Sequence, residues 1–197
     1  SILDAKARLS EAYVRLKREH QQGASGAALC RLASDLRDEI VLKLIGEAAE
    51  FSGVERPVFE RLAFVAHGGY GRREVAPFSD VDLMVLCPRL HVDVAKPVAE
   101  RLFRDIFDAG LVLGHSLRTV EEACSLACDD AQICTSLIES RLLAGSETLF
   151  ESYRRKFGKR MRHGAARLLA AAESERTQER IRFGETVFLL EPNIKRS

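Results

Sequence analysis

The chain has 197 residues, 46% hydrophobic and 30% charged, with 30 Lys and Arg against 29 Asp and Glu for a formal net charge of +1. This balance lacks the broad basic footprint of a nucleic-acid binder, no apolar run approaches the roughly 18 residues of a membrane span, and the first residues lack a signal-peptide pattern. The five cysteines are an odd number without framework spacing, which fits a reducing cytoplasm.

Residues 2–21 and 27–50 carry apolar side chains at helical spacing, Leu9, Tyr13 and Leu16 in the first and Leu32, Leu36, Ile40 and Leu44 in the second. A Gly/Ser/Ala turn at 22–26 separates them, so a helical hairpin is expected. Apolar strands are expected near 62–67 and 80–87, then a helix near 93–109 ending at Gly110, and a third strand over 111–117. Thr119 with Glu122 fits a capping box. An amphipathic helix over 131–144, a helix capped at Ser146 and a long helical stretch over 159–182 containing Gly164 follow. Residues 185–190 read as extended, stopped by Glu191-Pro192. The implied architecture is α/β, a small mixed sheet with flanking helices and a C-terminal helical lobe. Its divisions are a helical hairpin at 1–55, an α/β core at 56–128, and a helical lobe with an extended end at 129–197.

The most informative segment is residues 65–86, where Gly68-Gly69 at a strand end precedes Asp80-Val81-Asp82. Alternate residues of a strand share a face, so Asp80 and Asp82 lie on one side about 7 Å apart, while Val81 and Leu83 point into a core. Two like charges at that separation repel unless neutralised. Carboxylate oxygens suit Mg²⁺, which prefers few protein ligands plus substrate phosphates. Two residues without Cβ let backbone N–H groups approach a phosphate, and Arg72 and Arg73 add positive charge beside them. No Gly-Lys-Ser/Thr follows, so this is not a Walker A loop. Elsewhere, Cys124 and Cys128 at i, i+4 read as core thiols, and the basic cluster from Arg154 to Arg162 as a solvated helix face.

The order of strand, Gly-Gly, basic turn, Ser79-Asp80-Val81-Asp82 and apolar strand resembles the signature of the DNA polymerase β-like nucleotidyltransferase superfamily. Gly68-Gly69-Tyr70-Gly71-Arg72, Pro77-x-Ser79-Asp80-x-Asp82-Leu83, the segments 114–122 and 137–143, and Leu190-Glu191-Pro192-Asn193-Ile194-Lys195 are similar to one family within it. That family is the N-terminal domain of the bifunctional uridylyltransferase/uridylyl-removing enzymes acting on the PII nitrogen-signalling protein. The resemblance covers most of residues 60–197, and residues 1–55 carry no matching motif.

The resemblance implies a polymerase β-like fold in which an acceptor hydroxyl attacks the α-phosphorus of a nucleoside triphosphate and pyrophosphate leaves. It implies Asp80 and Asp82 as catalytic metal ligands for Mg²⁺, with Gly68, Gly69 and Ser79 holding the β- and γ-phosphates and Arg72 stabilising charge there. The implied donor is UTP and the implied acceptor a tyrosine of PII. Two departures stand out. The third strand holds no third carboxylate, with His115 at its polar position as either a base or a structural histidine, and Arg73 stands where the family has a further Gly. No His-Asp pair occurs in the chain, so the HD domain of nucleotide removal and the ACT domains of glutamine sensing are not expected, and the sequence reads as part of a longer enzyme. A transferase of the CBS-linked kind with another acceptor, and a non-catalytic nucleotide sensor, are the alternatives.

Overall fold

The computed structural model describes residues 1–51 and 53–183. The expected hairpin is present as α1 (Ile2–Gln21) and α2 (Gly26–Phe51). Its turn is built from Gly23 at φ 88° and from Ser25, whose hydroxyl accepts the Ala28 N–H at 3.3 Å. Leu16 of α1 packs on Leu29 and Ala33 of α2, and Ala5 and Leu9 join the main core.

A single turn, α3 (Arg56–Phe59), leads into β1 (Ala63–Ala66), the helical turn α4 (Gly68–Gly71) and β2 (Val81–Leu86). A 3-10 turn at Arg89–His91 precedes α5 (Val92–Asp108) and β3 (Leu113–Arg118). The chain continues as α6 (Val120–Asp129), α7 (Ala131–Ile138), β4 (Arg141–Gly145) and α8 (Glu147–Phe183). The four strands form one mixed sheet in the order β3-β2-β1-β4, with β1 antiparallel to β2 and β4, and β2 parallel to β3. A parallel pair requires a crossover, which α5 supplies.

Helices cover both faces. On one face Phe64, Leu83 and Val85 pack against Ile40 and Leu44 of α2 and Ile106 of α5. On the other, Val65 and Met84 meet Cys124 of α6, Leu137 of α7 and Tyr153 of α8. Burial on both sides explains why Val81–Leu86 is apolar at every position but one, each fully buried aliphatic chain contributing about 1.5–3 kcal/mol. The exception is Asp82. Cys124 lies in the second core, where burial pushes its thiol up to about 11.

The capping box forms as expected, the Glu122 N–H reaching Thr119 Oγ1 at 3.3 Å and the Thr119 N–H reaching Glu122 Oε2 at 2.8 Å. Residues 131–144 differ from the single helix expected. The helix stops at Ile138, and 141–145 become β4 on the free edge of β1. A short apolar run fits either structure by pattern, and here the open edge decides, because it places Leu142 in one core and Leu143 against the other. Conversely, the two helices expected after Ser146 are one, and neither Gly158 nor Gly164 interrupts it. The strand expected over 185–190 and the Leu190–Lys195 motif lie outside the described residues. Among the described residues no helix is long and apolar enough to cross a membrane.

The packing of α4 against the end of α7 depends on Gly71. A Cβ there would stand 2.1 Å from the Glu139 carbonyl oxygen and 3.1 Å from that of Ala66. Gly71→Ala is expected to cost about 2 kcal/mol, lowering Tm by roughly 4–8 °C; an unchanged melting curve would contradict this packing.

Candidate active site

Asp82 is the polar interruption of β2, and the sheet register surrounds it. It pairs with Gly114 on β3, while the His67 N–H, just past the end of β1, donates to the Asp82 carbonyl at 3.1 Å. Its carboxylate lies between two glycines. A Cβ at Gly68 would sit 2.8 Å from Asp82 Oδ2 and 3.1 Å from Ser136 Oγ, and one at Gly114 would sit 2.5 Å from Asp82 Oδ1. Gly68 also has φ +58°, a left-handed conformation that costs other residues about 1 kcal/mol or more. Thus one glycine of the Gly-Gly pair clears space for the carboxylate on one side, and a β3 glycine clears it on the other.

The remaining sequence-predicted residues occupy the connecting loop. Asp80 is half-buried immediately before β2, two residues from Asp82. The Ser79 N–H donates to the Ala76 carbonyl at 3.0 Å, closing the turn that leads to it. At Gly69 an added Cβ would meet only the Glu74 carbonyl oxygen, at 3.9 Å, so packing does not demand glycine there. Arg72 is exposed and turned toward Glu74 at 2.8 Å and Glu139 at 3.6 Å, so contact with a phosphate requires exchanging those carboxylates. Arg73 adopts φ 61° and forms an ion pair with Asp35 of α2, so the residue in the glycine position of the resemblance is held left-handed from the N-terminal hairpin.

That hairpin braces the loop more widely. Arg37 is 3% exposed and donates to the carbonyls of Ala33 at 3.1 Å, Ala76 at 3.3 Å and Pro77 at 2.5 Å. Ser34 Oγ accepts the Val75 N–H at 3.4 Å. Asp38 takes a two-pronged contact from Arg141 of β4 at 2.8 and 3.0 Å, and Arg141 also donates to the Tyr70 carbonyl at 3.3 Å. The motif-free N-terminal segment therefore fixes the loop joining the glycine pair to Asp80. Its sequence signal is a cation within an apolar stripe: Ala33, Arg37, Ile40 and Leu44 share one helix face.

Asp82 opens into a cavity of about 210 Å³ between β2, β3, α6 and α7, lined also by His67, His115, Ser116, Arg118 and Ser136. His67 Nδ1 lies 2.8 Å from Ser136 Oγ, and burial pushes its imidazole down to about 4, so the ring is neutral at pH 7. Neither residue was singled out by the sequence motifs, although His67 directly precedes Gly68. The His115 ring belongs to the other face: His115 pairs with Leu83 in register and its ring lies 4.4 Å from that of Phe103. It is an exposed histidine set against the Phe103 ring, and the β3 position directly opposite Asp82 in register is Gly114. Among the described residues no cluster of three or more His, Cys, Asp or Glu has metal-holding geometry. Two hard carboxylates two residues apart nevertheless fit Mg²⁺, which takes one or two protein carboxylates and draws its other ligands from water and phosphate.

Two glycines of the same pair should behave differently. Gly68→Ala is expected to destabilise the fold and displace Asp82, whereas Gly69→Ala should melt within about 2 °C of wild type and lose only ligand affinity. Equal melting temperatures for the two variants would contradict the framing of Asp82 by Gly68. A second expectation concerns pH. The folded protein keeps His67 neutral down to about pH 4, whereas in the unfolded chain it takes up a proton near its ordinary 6.5. The unfolded state therefore binds more protons between those limits, and stability falls as pH drops through that window, by an order of 2–3 kcal/mol in all. Chemical denaturation of the metal-free protein from pH 7.5 to 4 should show this slope, flattened in His67→Gln; the same slope in that variant would contradict it.

No family model matches the chain. It is 36% identical over 182 residues, 91% of its length, to the bifunctional uridylyltransferase/uridylyl-removing enzyme of Caulobacter vibrioides (strain NA1000 / CB15N), of which it covers 19%. It is 34% identical over 197 residues, 100% of its length, to the enzyme of that name from Aromatoleum aromaticum, and 36% identical over 194 residues, 97% of its length, to that of Rhodopseudomonas palustris, covering 22% and 20% of them. A solved toxin–antitoxin structure with AMP-PNP aligns distantly, with a TM-score of 0.40 and 16% identity over 67% of this chain and 95% of that one. The chain thus spans about a fifth of the length of the curated relatives it matches. Over nearly its whole length it is homologous to one segment of the bifunctional uridylyltransferase/uridylyl-removing enzymes.

Proposed function

We propose that this chain is a nucleotidyltransferase that moves UMP from UTP to a tyrosine hydroxyl of the PII signalling protein in the cytoplasm, with pyrophosphate leaving. The observation that carries the reading is the Asp82 carboxylate seated between Gly68 and Gly114, where a Cβ on either side would collide with it. Homology to the uridylyltransferases supports the choice of reaction. All five cysteines are free thiols, as a reducing compartment requires.

In this reading Asp80 and Asp82 hold Mg²⁺, which when bound neutralises triphosphate charge and favours departure of pyrophosphate. The backbone of Gly68 and Gly69, with Ser79, holds the β- and γ-phosphates, and Arg72 swings from its carboxylates to join them. The acceptor oxygen gives up its proton to solvent and bonds to the α-phosphorus as the bond to the β-phosphate oxygen breaks and pyrophosphate leaves. Such displacement depends on positioning and charge neutralisation more than on covalent help. Arg37 and Asp38 act at one remove, by fixing the loop and strand that carry these groups.

Labelling with UTP radioactive at the α-phosphate, Mg²⁺ and PII tests this. Wild type should label a PII tyrosine, and Asp82→Asn should be slower on the order of 100-fold or more, as for loss of one electrostatic contact to the transition state. Equal rates would contradict the mechanism. Label from ATP, or on another acceptor, would favour a CBS-linked type of transferase, and Mg²⁺-dependent UTP binding without pyrophosphate release would favour a sensor.

A further inference from the structure

Resting on the transferase reading, we propose that the cavity beside Asp82 is the pocket for the base of the donor nucleotide, and that Arg118, with Ser116, selects a base carrying ring carbonyls. At about 210 Å³ the cavity is smaller than the roughly 300–1,000 Å³ that enclose a whole ligand. It has room for one flat ring, with sugar and phosphates lying outside across Asp82. Its walls include Met84, Leu126 and Ile133, apolar surfaces suited to the two faces of a ring.

The polar groups stand at the edges. Alternate residues of β3 share a face, so Ser116 and Arg118 follow Gly114 on the Asp82 side, progressively farther from the carboxylate. Ser136 enters from α7, its hydroxyl tied to the neutral His67 ring. A guanidinium can only donate, whereas a hydroxyl can donate or accept. Uracil presents two carbonyl acceptors around one N–H and matches that set. Cytosine replaces one carbonyl by an amino donor that would face Arg118, and a purine adds a second ring. A phenol from the acceptor would bring a single oxygen to three polar edges, so the donor base is the better occupant.

Calorimetric titration of wild type, Arg118→Ala, Arg118→Lys and Ser116→Ala with UTP, CTP and inorganic tripolyphosphate, each with Mg²⁺, tests the assignment. Wild type should prefer UTP over CTP by about tenfold or more, and Arg118→Ala should weaken UTP roughly 10- to 100-fold while leaving CTP and tripolyphosphate within about twofold. Arg118→Lys, which retains a donor cation, should recover part of the preference, and Ser116→Ala should lose part of it. Weakening of all three ligands alike in Arg118→Ala would make Arg118 a phosphate contact and overturn the proposal. So would an unchanged UTP preference in that variant, or unchanged nucleotide binding with a raised KM for acceptor protein. If wild type binds none of the three with Mg²⁺, the transferase reading itself fails, a result distinct from any of these.

Discussion

The structure is organised around one carboxylate in a strand that is otherwise apolar. Asp82 is tolerated in β2 because neighbours on both sides lack a Cβ: Gly68 opens the space near Oδ2 and Gly114 that near Oδ1. The arrangement exists only in the observed register. A one-residue slip of β3 against β2 would put a side chain where Gly114 stands and turn the alternation inside out. The parallel β2–β3 pair, the α5 crossover and the antiparallel contact from His67 to Asp82 therefore serve one end, keeping a charged group open to a cavity at the edge of a dry sheet.

The second constraint comes from α2. The loop from Arg72 to Asp80 is exposed over much of its length, and such a segment is mobile unless tied down. Here Arg37 supplies two bonds to loop carbonyls, Ser34 accepts from Val75, Asp35 pairs with Arg73, and Asp38 reaches Arg141 across the edge of the sheet. A buried guanidinium whose two terminal nitrogens are held by carbonyls while its Nε has no partner is a costly way to pack a helix unless it fixes something. What it fixes is the approach of Ser79 and Asp80 to the strand end.

Much of this was readable from local chemistry. The hairpin, β1, β2 and α5 follow from apolar periodicity, and the Thr119–Glu122 cap from a two-residue signature. The pairing of Gly68 with Asp82 was legible as a motif, though not as a contact, since their closeness arises from the β1–β2 ladder. What escaped depended on long-range placement. Leu142 and Leu143 fit helix or strand equally by pattern, and only the vacant edge of β1 makes them β4. His115 reads as a polar strand residue, but its face is set by register with Leu83, which turns it to Phe103 and away from Asp82. Arg37 and Ser136 have meaning only through partners 40 and 69 residues away in sequence.

In the proposed reading, phosphates and metal lie at the strand ends beside Asp80 and Asp82, and a base lies inward in the small cavity. A crystal structure with Mg²⁺ and a non-hydrolysable UTP analogue would decide whether that is so. The arrangement predicts an ion about 2.1 Å from oxygens of both Asp80 and Asp82, with the triphosphate against Gly68 and Gly69. An analogue bound with its phosphates away from the glycine pair, or an ion that contacts neither aspartate, would contradict it.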